Sequence, residues 1–172
     1  MNNIRLTAEG AIGRITLARP EKKNALDRAT ADELAEALFA LSESPVRVVA
    51  IDGEGPDFCA GADLAALEEM LDAPREAHID DAKALGHVFH TIRRMEKPVV
   101  ALVKGRAYAG GAGLAPACDL VPAPADARFA YPHVTIGLVP ARGVQMRRRQ
   151  VGGGPGCRPC DHGGGPCAEG RR

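Results

Sequence analysis

Short runs of branched apolar residues alternate with longer stretches of helical apolar spacing over the first 139 residues, and this alternation constrains the fold most. Residues 12–18, 46–51 and 99–103 have the composition of strands, and proline or glycine follows each of them. Repeated strand, crossover and strand units favour parallel pairing with right-handed connections. The sequence therefore predicts an α/β domain.

Two helices are predicted between these strands. Thr30 and Glu33 fit a capping box, and Leu34, Leu38 and Leu41 follow at helical spacing, which predicts a helix from Thr30 to about Leu41. Residues 76–95 carry apolar side chains every three or four positions and predict a longer amphipathic helix.

The composition changes after Pro140. Residues 142–172 are rich in glycine, arginine, proline and cysteine and have no hydrophobic period, so we expect a core domain of residues 1–141 followed by a disordered or out-of-frame tail. Thiolates and imidazole are zinc ligands, so a zinc-binding or basic tail is a remote alternative. One residue separates Cys160 from His162, which is too few for both to reach one ion easily, and we predict no metal site.

Charge and hydropathy exclude several classes of partner. The 22 basic residues balance the 22 acidic residues, which argues against a nucleic-acid partner. Neither a signal peptide nor an apolar stretch long enough to span a bilayer is evident. We therefore expect a cytoplasmic protein without a membrane partner.

Two turns built from small residues follow predicted strands and open predicted helices. The first is FCAGADL (58–64) and the second is GRAYAGGAGLA (105–115). Amides at a helix N-terminus are unsatisfied donors in a positive potential, which suits an oxygen that gains negative charge. Either turn alone could serve only to pack a helix closely on a sheet. Together, about fifty residues apart, they predict a carbonyl-binding site.

With residues 15–26 (ITLARPEKKNAL), 97–120 and 126–141, these turns closely resemble the enoyl-CoA hydratase/isomerase family, or crotonase superfamily. The resemblance implies a crotonase-like (ClpP/crotonase) α/β fold of repeated ββα units. It also implies that this chain is incomplete at its C-terminus, because family members continue into further helices. A homotrimer or hexamer is the assembly that the resemblance implies.

The same resemblance implies an acyl-CoA substrate and no separate cofactor, since coenzyme A is part of that substrate. The amides of Ala60 and Gly110 would each donate to the thioester oxygen. The implied substrate-binding residues are Lys23, Ala25, Gly61, Ala62, Asp63, Leu64, Gly111 and Gly113. For Lys22 and Lys23, a solvated loop charge is the alternative.

The sequence departs from the family at its proton-transfer positions. Hydratases of this kind use two glutamates, and the corresponding positions here are Gly113 and His133. Glycine cannot transfer a proton, whereas His133 is a candidate base because imidazole titrates near neutrality; a surface histidine is the alternative. The reaction therefore stays open between a hydratase or isomerase and an impaired chain that binds acyl-CoA at most.

Three prolines also depart from the expected elements. Pro116 falls inside the helix predicted after Gly110, where it would remove a hydrogen bond at a cost of about 3 kcal/mol or end the helix early. Pro122 and Pro124 interrupt a segment that the family uses as a strand.

Overall fold

The computed structural model describes residues 1–131, and it contains two sheets and four α-helices in that range. The predictions for His133 and for the tail 142–172 lie outside these residues. The elements in chain order are β1 (Ile4–Glu9), β2 (Ile12–Leu17), α1 (Arg28–Glu43), β3 (Val48–Gly53), α2 (Leu64–Glu69), α3 (Arg75–Arg94), β4 (Val99–Ala101), β5 (Arg106–Tyr108), α4 (Gly110–Ala117) and β6 (Arg128–Ala130).

The larger sheet has the order β1-β2-β3-β4. Strands β2, β3 and β4 are parallel, with Ile51 opposite both Ile15 and Ala101, which confirms the predicted parallel pairing. Strand β1 was not predicted, and it pairs antiparallel with β2 through a turn at Gly10, whose φ is +57°. Of the six residues of β1 only Ile4 is fully buried, so this edge strand leaves a weak hydrophobic signal.

Helix α1 begins two residues earlier than the predicted capping box. Its N-cap is Asp27, whose carboxylate accepts hydrogen bonds from the Thr30 amide at 2.8 Å and the Thr30 hydroxyl at 2.6 Å. The Glu33 carboxylate instead accepts the amides of Asn2 and Asn3, both at 2.9 Å. The predicted capping box is therefore wrong, and Glu33 holds the N-terminal segment against α1.

The core lies between α1, α3 and the larger sheet. Leu34, Leu38, Ile15, Ile51 and Ile92 are fully buried there, and each such side chain contributes about 1.5–3 kcal/mol by leaving water. The predicted long helix is confirmed as α3, but only Val88, Phe89 and Ile92 are buried along it. Its first three turns therefore lie at the surface. Within residues 1–131, no helix has the length and hydropathy needed to cross a membrane.

The segment after β4 turns sharply at Gly105, which has φ of +55° and no room for a side chain against the Pro56 carbonyl. The next three residues form β5, which pairs parallel with β6 and directs the chain into α4. Neither β5 nor β6 was predicted, because each has only three residues and, unlike β4, does not lie within a longer apolar run. Pro122 and Pro124 lie outside the strands, as expected from their missing amide donors.

Helix α4 tolerates Pro116 because the proline lies one residue from the helix end, at Ala117. A proline at position 116 leaves the Ala112 carbonyl without its helical donor. The Tyr131 hydroxyl donates to that carbonyl at 2.7 Å. The expected loss of a hydrogen bond is thus offset from outside the helix.

Candidate functional site

The two predicted turns meet in the structure. Gly61 has φ of +97°, and a Cβ added there would lie 3.0 Å from the amide nitrogen of Gly110. A Cβ added to Gly110 would lie 3.8 Å from the amide nitrogen of Ala62. The N-terminal ends of α2 and α4 are therefore brought together, as the sequence predicted.

The register between Leu26 and Ala62 sets the direction of the Ala62 amide. These residues form a parallel bridge in which the Leu26 amide donates to the Gly61 carbonyl at 2.7 Å and the Asp63 amide donates to the Leu26 carbonyl at 2.9 Å. The amide between these two contacts, that of Ala62, points away from the bridge. It makes no hydrogen bond to any residue in the described range 1–131.

The amide of Ala60 is in a different position. It donates to the Lys23 carbonyl at 2.9 Å, so it is already paired with the backbone. Lys23 itself lies in the left-handed region with φ of +53°. The donor role predicted for Ala60 therefore does not fit this geometry, whereas the amide of Ala62, two residues further along the chain, has no acceptor in the described range.

Gly110 is the first residue of α4, and its amide also lacks an acceptor among residues 1–131. The N-cap residue Ala109 has φ of +48° and ψ of −112°, a conformation that strains a residue with a Cβ by about 1–3 kcal/mol. Its amide donates to the Ala130 carbonyl at 2.9 Å, which fixes the entry into the helix. The partial positive charge of the helix N-terminus increases the positive potential at the Gly110 amide.

The other glycines of the second turn pack α4 rather than line an open path. A Cβ on Gly111 would overlap the Cys59 carbonyl, so Gly111 allows α4 to contact the first turn closely. Gly113 is buried in α4 and carries no side chain. The side chain of Leu64 is 56% exposed at the start of α2, whereas Ala25 is buried.

A cluster of ion pairs supports the first turn, and it centres on Arg19, which is only 8% exposed. The Arg19 guanidinium contacts Asp63 at 2.7 Å and Asp27 at 3.0 Å, and it donates to the Ala25 carbonyl at 2.8 Å. The Lys22 ammonium lies 2.8 Å from the same Asp63 carboxylate. Lys22 is thus ion-paired rather than simply solvated.

Hydrogen bonds from Lys22 and then Arg19 lower the pKa of Asp63 to about 2 against the opposing effect of burial. Asp63 is also the N-cap of α2, where its carboxylate accepts the Ala65 amide at 3.2 Å. Asp63 therefore has a structural role, and its substrate-binding role stays a prediction. Sequence reasoning missed Arg19, since its partners lie far from it along the chain.

Asn24 was also missed, and it fixes the turn that carries Lys23. The Asn24 side chain is 1% exposed and accepts the Arg19 amide at 3.1 Å. Its amide group donates to the carbonyls of Glu54 and Asp57, both at 2.9 Å. These bonds hold two consecutive left-handed residues, with φ of +53° at Lys23 and +56° at Asn24.

Thiol chemistry and metal binding find little support in the described region. Burial raises the pKa values of Cys59 and Cys118 to about 12, so both thiols stay protonated at neutral pH. Among residues 1–131, no three His, Cys, Asp or Glu side chains are grouped so that they could hold a metal ion.

The arrangement of strands and helices is that of the crotonase fold, as in a putative enoyl CoA hydratase/isomerase (crotonase) from Legionella pneumophila with a TM-score of 0.79 at 34% identity, over 83% of this chain and 55% of that one. An enoyl-CoA hydratase from Polaromonas sp. JS666 superposes with a TM-score of 0.78 at 37% identity, over 80% of this chain and 54% of that one. The sequence model of the enoyl-CoA hydratase/isomerase family matches residues 7–154. The chain belongs to this family.

Curated relatives agree with that assignment. The crotonyl-CoA hydratase of Syntrophomonas wolfei is 38% identical over 156 residues, which cover 88% of this chain and 58% of the relative. The short-chain-enoyl-CoA hydratase of Clostridium acetobutylicum is 36% identical over 160 residues, which cover 90% and 59%. The chain thus spans less than two thirds of the length of these relatives.

Proposed function

We propose that this chain binds the thioester group of an acyl-CoA and stabilises negative charge on its carbonyl oxygen with the amides of Ala62 and Gly110. The observation that carries the proposal is the pair of adjacent amides without an acceptor in the described region. Backbone amides that remain unpaired at a protein surface are available to a ligand oxygen.

The chemistry of thioesters suits such a site. Removal of an α-proton, or addition of a nucleophile to an enoyl thioester, moves negative charge onto the carbonyl oxygen. Preorganised donors stabilise that charge more than they stabilise the neutral ground state, and one donor is typically worth about 3–4 kcal/mol of barrier. The proposal requires no cofactor apart from the coenzyme A of the substrate.

The site has fewer candidate groups for proton transfer than for binding the carbonyl. Gly113 offers no side chain on the first turns of α4, where the family resemblance implies a carboxylate. This observation favours a second candidate function, in which the chain binds acyl-CoA without efficient hydration. His133 is the proposed base if the chain is an active hydratase or isomerase.

A Gly110→Ala variant tests the carbonyl site without disturbing the fold. The added Cβ would make ordinary contacts at 3.5 Å with Gly61 Cα and 3.7 Å with Leu26 Cδ1, yet it would lie over the Ala62 amide. We expect unchanged or higher stability, since alanine is the better helix former, together with at least about tenfold weaker butyryl-CoA binding by calorimetry.

Gly86→Ala is the matched control, because Gly86 is an exposed position of α3 with nothing within 4 Å of the added Cβ. It should stabilise α3 and leave binding unchanged. Equal butyryl-CoA affinity in wild type and Gly110→Ala would reject the carbonyl site. Hydration of crotonyl-CoA, followed by loss of enoyl absorbance, separates the two candidate functions: a robust rate supports the enzyme and a negligible rate supports the binder.

A further inference from the structure

One buried guanidinium connects the starts of two helices beside the carbonyl site. Arg19 contacts Asp27, the N-cap of α1, and Asp63, the N-cap of α2, at 3.0 Å and 2.7 Å. These are the residues that follow Leu26 and Ala62, the two members of the parallel bridge. Arg19 therefore links the two segments of the chain that form the bridge.

A third contact completes the arrangement. Arg19 also donates to the Ala25 carbonyl at 2.8 Å, one residue before the bridge. The bridge itself consists of two hydrogen bonds, from Leu26 to Gly61 and from Asp63 to Leu26. Two bonds at an isolated bridge fix a strand register weakly, so additional constraints are needed to orient the single amide between them.

We propose that Arg19 is a positioning residue for the Ala62 amide. It acts through Asp63 and the Leu26–Ala62 bridge, and it does not contact the substrate. The planar guanidinium can satisfy two carboxylates and a carbonyl at fixed angles, which a lysine ammonium cannot do in the same way. This inference rests on the proposed carbonyl site, because it concerns the direction of the Ala62 amide, one of the two donors of that site.

The test is the infrared stretching frequency of the thioester carbonyl in bound butyryl-CoA labelled with ¹³C at that carbon. Donation from two amides polarises the carbonyl and lowers its frequency in the wild-type protein. In Arg19→Met the downshift is expected to fall to less than about half, while affinity weakens by about tenfold as one donor is lost.

Arg5→Met is the matched control, because Arg5 forms an exposed ion pair with Glu54 at 3.1 Å on the outer strand β1. It should keep the full downshift. Arg19→Lys should recover part of the shift because it restores the charge without the forked geometry.

Removing one member of a buried ion cluster can unfold a protein, so Asp63→Asn provides a second route. This variant keeps the shape of the side chain and an oxygen able to cap α2, but it weakens the link to Arg19. We expect a smaller downshift than in wild type. A full downshift in the folded variants would overturn the positioning role, whereas its absence in the wild-type protein would overturn the carbonyl site itself.

Discussion

Ala109 carries backbone strain at the point where the chain enters α4. Its φ of +48° and ψ of −112° fall in a region that glycine adopts freely and alanine does not. The neighbouring Gly110 amide depends on this turn for its direction. Strain of this kind persists where the surrounding structure fixes it, and here the bond from Ala109 to the Ala130 carbonyl contributes.

Ala109→Gly is expected to stabilise the chain by about 1 kcal/mol. Relief of about 1–3 kcal/mol of strain exceeds the entropy cost of about 0.4–1 kcal/mol that glycine adds through the unfolded state. Chemical denaturation measures the difference. Ala29→Gly, at an exposed position of α1 with ordinary helical geometry, is the control and should lose about 0.5–1 kcal/mol. A loss of similar size at Ala109 would show that the turn is unstrained.

Because of Asp63, the free energy of unfolding is expected to depend on pH in the acid range. Its folded pKa of about 2 lies below the value of 3.8 for an unperturbed carboxyl. The contribution is therefore complete above about pH 4 and is lost as the pH falls towards 2, and it amounts to roughly 2 kcal/mol. Asp63→Asn removes this difference between the folded and unfolded states.

Unfolding free energies measured from pH 5 to pH 2 should therefore fall less steeply for Asp63→Asn than for wild type. Asp126→Asn, in an exposed loop, controls for the loss of a surface charge. Parallel pH profiles of wild type and Asp63→Asn would contradict the buried ion cluster as the cause.

Helix α4 contains an unfavourable proline, and a hydrogen bond from outside the helix compensates for it. Pro116 leaves the Ala112 carbonyl without its helical donor, and the Tyr131 hydroxyl donates there at 2.7 Å. Burial raises the pKa of Tyr131, so the hydroxyl remains a donor at neutral pH. The hydrogen bond also joins the end of β6 to the helix that carries Gly110.

A double-mutant cycle tests whether the Tyr131 hydroxyl replaces the amide donor that Pro116 lacks. Tyr131→Phe should cost about 0.5–1.5 kcal/mol in the wild-type chain and less in a Pro116→Ala background, where an amide can donate to Ala112. The free energies come from denaturation of the four proteins. Identical costs in both backgrounds would mean that the tyrosine does not act for the missing amide.

Elements that lie within a buried apolar run or a clear helical period could be predicted from the sequence, whereas β1, β5 and β6 could not. Buried runs gave β2, β3 and β4 and their parallel order, and helical spacing gave α1 and α3. Strands β5 and β6 have three residues each, too few for any period. The start of α1 was misplaced because Asp27 and Thr30 are both good N-caps, and the contact of Glu33 with the N-terminal segment is not visible in the sequence.

For the proposed carbonyl site, the sequence predicted Ala60 as a donor, whereas the geometry favours Ala62, two residues further along the chain. Alanine stands on both sides of Gly61 in FCAGADL, so the residue types alone do not distinguish Ala60 from Ala62 as a donor. Only the register of Leu26 against this turn distinguishes the paired amide from the free one. The ion-pair partners of Arg19, Asp27 and Asp63, lie eight and forty-four positions further along the chain, and a local sequence pattern does not indicate such contacts.

At the scale of the whole molecule, the described part brings two helix N-termini together over one aliphatic core. The family assignment and the fold account for the paired turns, while the chain spans about 58–59% of two curated relatives. The apolar side chains of Leu64 in α2 and Ile79 in α3 are exposed, and Leu71 is exposed between the two helices.

The most direct measurement is a proton–nitrogen correlation spectrum of ¹⁵N-labelled protein titrated with butyryl-CoA. The account predicts that the amide protons of Ala62 and Gly110 move downfield as they donate to the thioester oxygen, while that of Ala60 stays bonded to Lys23 and moves little. Saturable binding that leaves the Ala62 and Gly110 amides unchanged, or that moves Ala60 instead, would contradict the proposed site.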